Sequence, residues 1–77
     1  MTSGQVSLNN FYQSVKFVNP ALAEEMSDDV VSVALNALSA DKIYGQPAAE
    51  SLRQKSRDLP EIMRRVLENA LTNLGYS

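Results

Sequence analysis

Pro20, Pro47 and Pro60 each head a run of apolar residues at helical spacing, and this punctuation most limits how the chain can fold. Proline lacks a backbone N–H, so it suits the first position of a helix. The residue before it avoids the helical region. The chain therefore reads as a succession of short helices.

Ser7 is placed to cap a first helix over residues 8–18, in which Leu8, Phe11, Val15 and Val18 share one face. Asn19 ends that helix and caps a second, over 20–26. Ser27 then caps a third over 28–40, with Asp28 and Asp29 where the helix dipole favours anions. In this segment Val30, Val31, Val33, Ala34, Leu35, Ala37 and Leu38 cover most of the circumference, which predicts a helix central to the core. Gly45 is expected to supply backbone freedom in the break at 41–46.

A fourth helix over 47–57 has a thin apolar face of Ala48, Ala49, Leu52 and Leu59, with Arg53, Lys55 and Arg57 pointing outward. Asp58 and Glu61 have the spacing of a capping box. They mark the start of a fifth helix over 60–74, where Ile62, Met63, Val66, Leu67, Ala70, Leu71 and Leu74 line one side. Gly75 is the expected stop. The fold class is all-α, a compact single-domain bundle of five short helices without disulfides. Leu35 and Leu67 are expected in its core.

With 77 residues and no cysteine, the bundle has no covalent staple, and its stability should be about 4–11 kcal/mol. Cysteine and histidine are both absent, and with them most nucleophiles, general bases and tight metal ligands. No enzyme activity, cofactor, metal or small-molecule substrate is expected. Glu24 and Glu25 diverge on a helix rather than facing each other. Ser51 and Lys55, four apart, are the nearest approach to a Ser-Lys dyad. Residues 1–41 carry five acids and one cation, whereas 42–77 carry six cations and four acids. Five of the seven cations lie from Arg53 to Arg65.

Those cations suit an ordinary solvated helix face, and beside that they allow two functional readings. The segment through Gly45 could be a helix-turn-helix that offers Arg53, Gln54, Lys55 and Arg57 to DNA, although the chain is acidic overall and the break is longer than the usual turn. Alternatively, Arg57, Arg64 and Arg65 sit at headgroup level beside the apolar side of the last helix, as in an interfacial helix. Phe17, off the first helix's apolar face, is a candidate exposed anchor. No signal peptide or spanning helix is legible. The expected location is cytoplasmic, with peripheral contact at the inner membrane.

The stretches SLNNFYQSVKFVNPALAEEM, SDDVVSVALNALSADKIYGQPAAESLRQKSRDLP and EIMRRVLENALTNLGYS cover nearly the whole chain. Together they resemble the PAS factor family of small bacterial secretion-activating proteins. The resemblance implies a saposin-like bundle, a role in promoting protein export and interaction with membrane lipid. It supplies no catalytic residue. Ordinary saposins are held by disulfides, which this chain lacks. The expected function is thus a non-enzymatic modulator of secretion acting through membrane lipid or export machinery, with Phe17, Arg57, Arg64 and Arg65 as contact residues. The apolar stripe from Ile62 to Leu74 would add to the contact if the bundle opens. A DNA-binding regulator and an adaptor or chaperone-like protein-binding module are the alternatives.

Overall fold

The computed structural model describes residues 3–39 and 41–76. Met1, Thr2 and Ser77, and Ala40 at the expected end of the third helix, lie outside them.

The first helix, α1, runs Ser3–Val18 and starts a full turn earlier than Ser7, which lies inside it. The early start follows from packing. Gly4, Leu8, Phe11 and Val15 form one buried stripe. Gly4 lies so close to the last helix that a Cβ on it would fall 2.8 Å from Cγ of Leu74. Val18, expected on the same face, is exposed at the helix end.

Asn19 alone separates α1 from the second helix, α2, over Pro20–Ala37. Its side-chain oxygen accepts the backbone N–H of Leu22 at 3.2 Å, and Pro20 occupies the first turn. Here the expected break at 26–27 is corrected: the second and third helices are one. Ser27 does not cap; its hydroxyl donates to the Glu24 carbonyl within the helix at 2.9 Å. Ser, Asp and Asp are only mildly poor helix formers, by less than about 0.7 kcal/mol each. They are outweighed by a continuous inner stripe of Ala23, Met26 and Val33, with Val30 packed against it. Asp29 is also held within the helix by Ser51 and Lys55, each 2.8 Å from Oδ2.

A 3-10 turn at Ile43–Gly45 leads into α3, Gln46–Lys55. Its apolar face is the expected one: Ala48, Ala49 and Leu52 are buried, as is Leu59 beyond it. The helix stops at Lys55 instead of Arg57, and Ser56 at its end donates its hydroxyl to the Leu52 carbonyl at 2.6 Å. The last helix, α4, runs Glu61–Asn73. Asp58 and Glu61 form no capping box, because the N-cap is Pro60, without a side-chain bond.

Among the described residues the architecture is therefore all-α with four α-helices, in an envelope of 33 × 20 × 19 Å. The expectation of five helices is corrected by the fusion within α2. α1 lies between α2 and α4 and packs on both, while α3 closes against α2. α1 and α4 run antiparallel: Gly4 meets Leu74 and Asn73 at one end, and Phe17 and Val18 share a hollow with Met63 at the other.

At the C-terminus α4 ends in a Schellman motif. Gly75 has φ +95°, its N–H donates to the Thr72 carbonyl, and the Tyr76 N–H donates to the Leu71 carbonyl at 2.8 Å. That turn directs Tyr76 into the core, where it is the largest fully buried side chain.

Candidate functional site

All four candidate contact residues are exposed, Phe17 at 91%. Phe17 stands near the end of α1, about 120° or more from the buried stripe on the helical wheel. Val18 beside it is also exposed, and both line an open hollow with Asn10, Gln13, Ser14 and Met63. Ile62, expected within the apolar side of α4, is instead 74% exposed. It lies at the extreme edge of that arc, roughly 140° from Leu67, where α1 no longer covers it. One pole of the bundle therefore carries Phe17, Val18 and Ile62 together.

Arg64 and Arg65 follow on the first turns of α4 and are exposed, sharing its outer face with Glu61, Glu68 and Asn69. Arg65 donates to Glu61 at 3.3 Å, an exposed pair one helical turn apart. Such pairs contribute about 0–1 kcal/mol and release readily. Arg57 is exposed on the turn after α3. Neither Arg57 nor Arg64 has an ion-pair partner among the described residues. The structure thus brings Phe17 to the α4 end that bears Arg64 and Arg65, with Arg57 on the turn leading into it.

The other expected cations are committed. Arg53 donates to Glu50 and, at 2.9 Å, to Glu68; it also reaches the Tyr76 carbonyl at 3.3 Å. Burial works against its charge, but the hydrogen bonds and charges of Glu68 and Glu50 outweigh that and hold its pKa above the ordinary value. Lys55 pairs with Asp29 at 2.8 Å and also donates to the Glu25 carbonyl. Arg53 and Lys55 thus tie α3 to α4 and α2 rather than pointing freely outward. Ser51 and Lys55 do not bond to each other; both donate to the same carboxylate oxygen of Asp29.

The apolar side of α4 is occupied. Leu67, Ala70, Leu71 and Leu74 are buried, with Met63 and Val66 packed alongside. Opening the α1–α4 seam would expose Leu8, Phe11, Val15, Leu67, Leu71 and Leu74. At about 1.5–3 kcal/mol per side chain, that costs roughly 9–18 kcal/mol, as much as the whole domain is worth. Contact through already exposed residues is far cheaper.

Sequence reasoning missed one surface. Val31, Leu35 and Leu38 were expected in the core, and all three are exposed on the outer side of α2, Leu35 at 64%. The apolar arc of this helix is wider than its neighbours can cover. α1 and α3 occupy one side, leaving the other open.

Among the described residues there is no cluster of three or more metal-binding side chains and no helix long and apolar enough to cross a membrane. Compared with known proteins, the chain matches no family model, no curated protein and no solved structure.

Proposed function

We propose that the protein is a non-enzymatic modulator of bacterial protein secretion that makes peripheral contact with membrane lipid through the pole bearing Phe17, Val18 and Ile62. One observation carries the reading: a nearly fully exposed phenylalanine grouped with two further exposed apolar residues, on the end of the bundle where α4 also presents Arg64 and Arg65. Grouped exposed apolar side chains mark interaction surfaces. Cations beside them suit anionic headgroups, at about 1 kcal/mol each.

The secretion role and a saposin-like relation rest on the sequence resemblance, which the all-helical bundle accompanies. Lipid contact in this reading uses the closed bundle. Export machinery is the alternative partner for the same pole. The helix-turn-helix reading is weaker, because Arg53 and Lys55, two of its four candidate DNA contacts, are engaged in ion pairs.

The test is cellular. A periplasmic reporter enzyme is followed into the medium of a Gram-negative host expressing the chain. Wild type should raise release, and Phe17→Ser with Ile62→Ser should abolish the increase. Equal release with and without the wild-type chain contradicts the proposal.

A further inference from the structure

The outer face of α2 is divided along its length. Glu24, Asp28, Val31, Leu35 and Leu38 follow one another at alternating spacings of four and three, and all are exposed. At about 100° per residue they fall within roughly 80° of the wheel, so they form one straight stripe. Its first half is acidic and its second apolar. Glu25 flanks the acidic half and is exposed as well. Beside the apolar half runs a hollow between α2 and α1, lined by Val30, Val31 and Ala34 on one side and Gln5, Leu8 and Asn9 on the other.

The acids have been left unneutralised. Asp29 is paired with Lys55, but the side chains of Glu24, Glu25 and Asp28 have no ion-pair partner among the described residues. Lys16 is the only cation in α1 and α2.

We infer that this face, with its adjoining hollow, docks a short helical peptide segment that is cationic at one end and apolar along the rest. The segment's cations lie against Glu24, Glu25 and Asp28, and its apolar side chains against Val31, Leu35 and Leu38. From Glu24 to Leu38 the stripe is about 21 Å long, at 1.5 Å per residue. That accommodates about four turns of a bound helix, in the helix-in-groove mode. Export signals have this make-up, a cationic start followed by an apolar run of about 7–15 residues.

Charge decides against the other occupants. An anionic bilayer is repelled by three acids on the same face. A second copy paired in parallel sets acids on acids. A second copy paired antiparallel about Val31, the middle of the stripe, sets the acids against the partner's apolar half around Leu35 and Leu38. A basic–apolar segment complements both halves at once. The inference stands on α2 alone and is independent of the membrane reading of Phe17, Val18 and Ile62.

The experiment uses the full chain and a fluorescein-labelled probe peptide of three lysines followed by a Leu/Ala helix, together about 22 Å long. Anisotropy should show saturable binding. Amide shifts in NMR spectra should be confined to residues 24–38 of α2 and 5–9 of α1. Glu24→Lys with Asp28→Lys, and separately Leu35→Gln with Leu38→Gln, should each weaken binding by about tenfold or more. These residues are exposed, so the variants should retain the wild-type melting profile. A probe headed by glutamates should prefer the Glu24→Lys, Asp28→Lys protein. Absence of binding, binding unchanged by both variants, or shifts confined to α4 would overturn the inference. So would a wild-type dimer, seen by sedimentation, that Leu35→Gln with Leu38→Gln dissociates, or vesicle association that the same pair abolishes; these assign the face to a second copy or to a bilayer.

Discussion

Tyr76 fills the space that any side chain at Gly45 would need. A Cβ built on Gly45 would lie 2.9 Å from Cε1 of the Tyr76 ring and nearer still to Cζ and Oη. The backbone of Gly45 is ordinary, with φ −88°. Its glycine is thus required by a neighbour 31 positions away in sequence and not by the turn. Tyr76 pins the α2–α3 connection, and its hydroxyl points at the Val33 carbonyl at 3.5 Å, long for a hydrogen bond.

Gly45→Ala should therefore destabilise the fold by about 1–3 kcal/mol, the usual cost of overpacking. In a Tyr76→Ala background the same substitution should cost much less. A double-mutant cycle by urea unfolding reads this coupling. Equal costs in both backgrounds would mean that the ring does not set the requirement.

Burial raises the Tyr76 phenol above its ordinary pKa of 10.0. The sign of the consequence is fixed by linkage. Above pH 10 the unfolded chain loses this proton while the folded chain keeps it, so stability present below pH 10 declines as pH rises towards the folded value. Tyr76→Phe should remove that part of the alkaline decline. From pH 8 to 11 wild type should lose melting temperature relative to Tyr76→Phe; a difference between the two that stays constant with pH would show that Tyr76 does not titrate differently on unfolding.

Leu67 and Leu35, both placed in the core by sequence periodicity, should behave oppositely. Leu67 is 1% exposed, and Leu67→Ala should cost about 2–5 kcal/mol. Leu35→Ala should stay within about 0.5 kcal/mol of wild type, as exposed positions do. Denaturant midpoints of the two variants check this directly.

Much of the fold was legible because local rules and packing agreed. Asn19 and Pro20 cap a helix, Gly75 stops one, and the inner residues of α3 and most of those of α4 follow from spacing. The misses have physical causes. Ser27, Asp28 and Asp29 carry a cap signal of about 1 kcal/mol, overridden by the stripe of Ala23, Met26 and Val33. Periodicity also reports how wide an apolar arc is, but not how much of it a neighbour covers. Val31, Leu35 and Ile62 were therefore misassigned to the interior. Tyr76 had one usable signal: a large apolar residue directly after a helix-ending glycine is where the Schellman motif makes its hydrophobic contact. Of the candidate site, the exposure of Phe17 was legible. Its meeting with the α4 terminus was not, because that depends on the antiparallel run of α1 and α4.

Continuity of α2 has its own test. Backbone amides from Glu24 to Val33 should exchange slowly and as one cooperative unit, because the helix is packed along this whole length. Fast exchange confined to Met26–Val30 would restore two separate helices.

The lipid reading is tested most directly by co-sedimentation of the intact protein with vesicles of phosphatidylglycerol or of phosphatidylcholine. The account predicts pelleting with the anionic vesicles only. Binding should weaken with salt as the Debye length falls from about 10 Å at 0.1 M to about 3 Å at 1 M. Arg57→Glu, Arg64→Glu and Arg65→Glu together should abolish binding while leaving the fold intact, as should Phe17→Ser. Failure to pellet with either vesicle, or equal and salt-resistant pelleting with both, would contradict it.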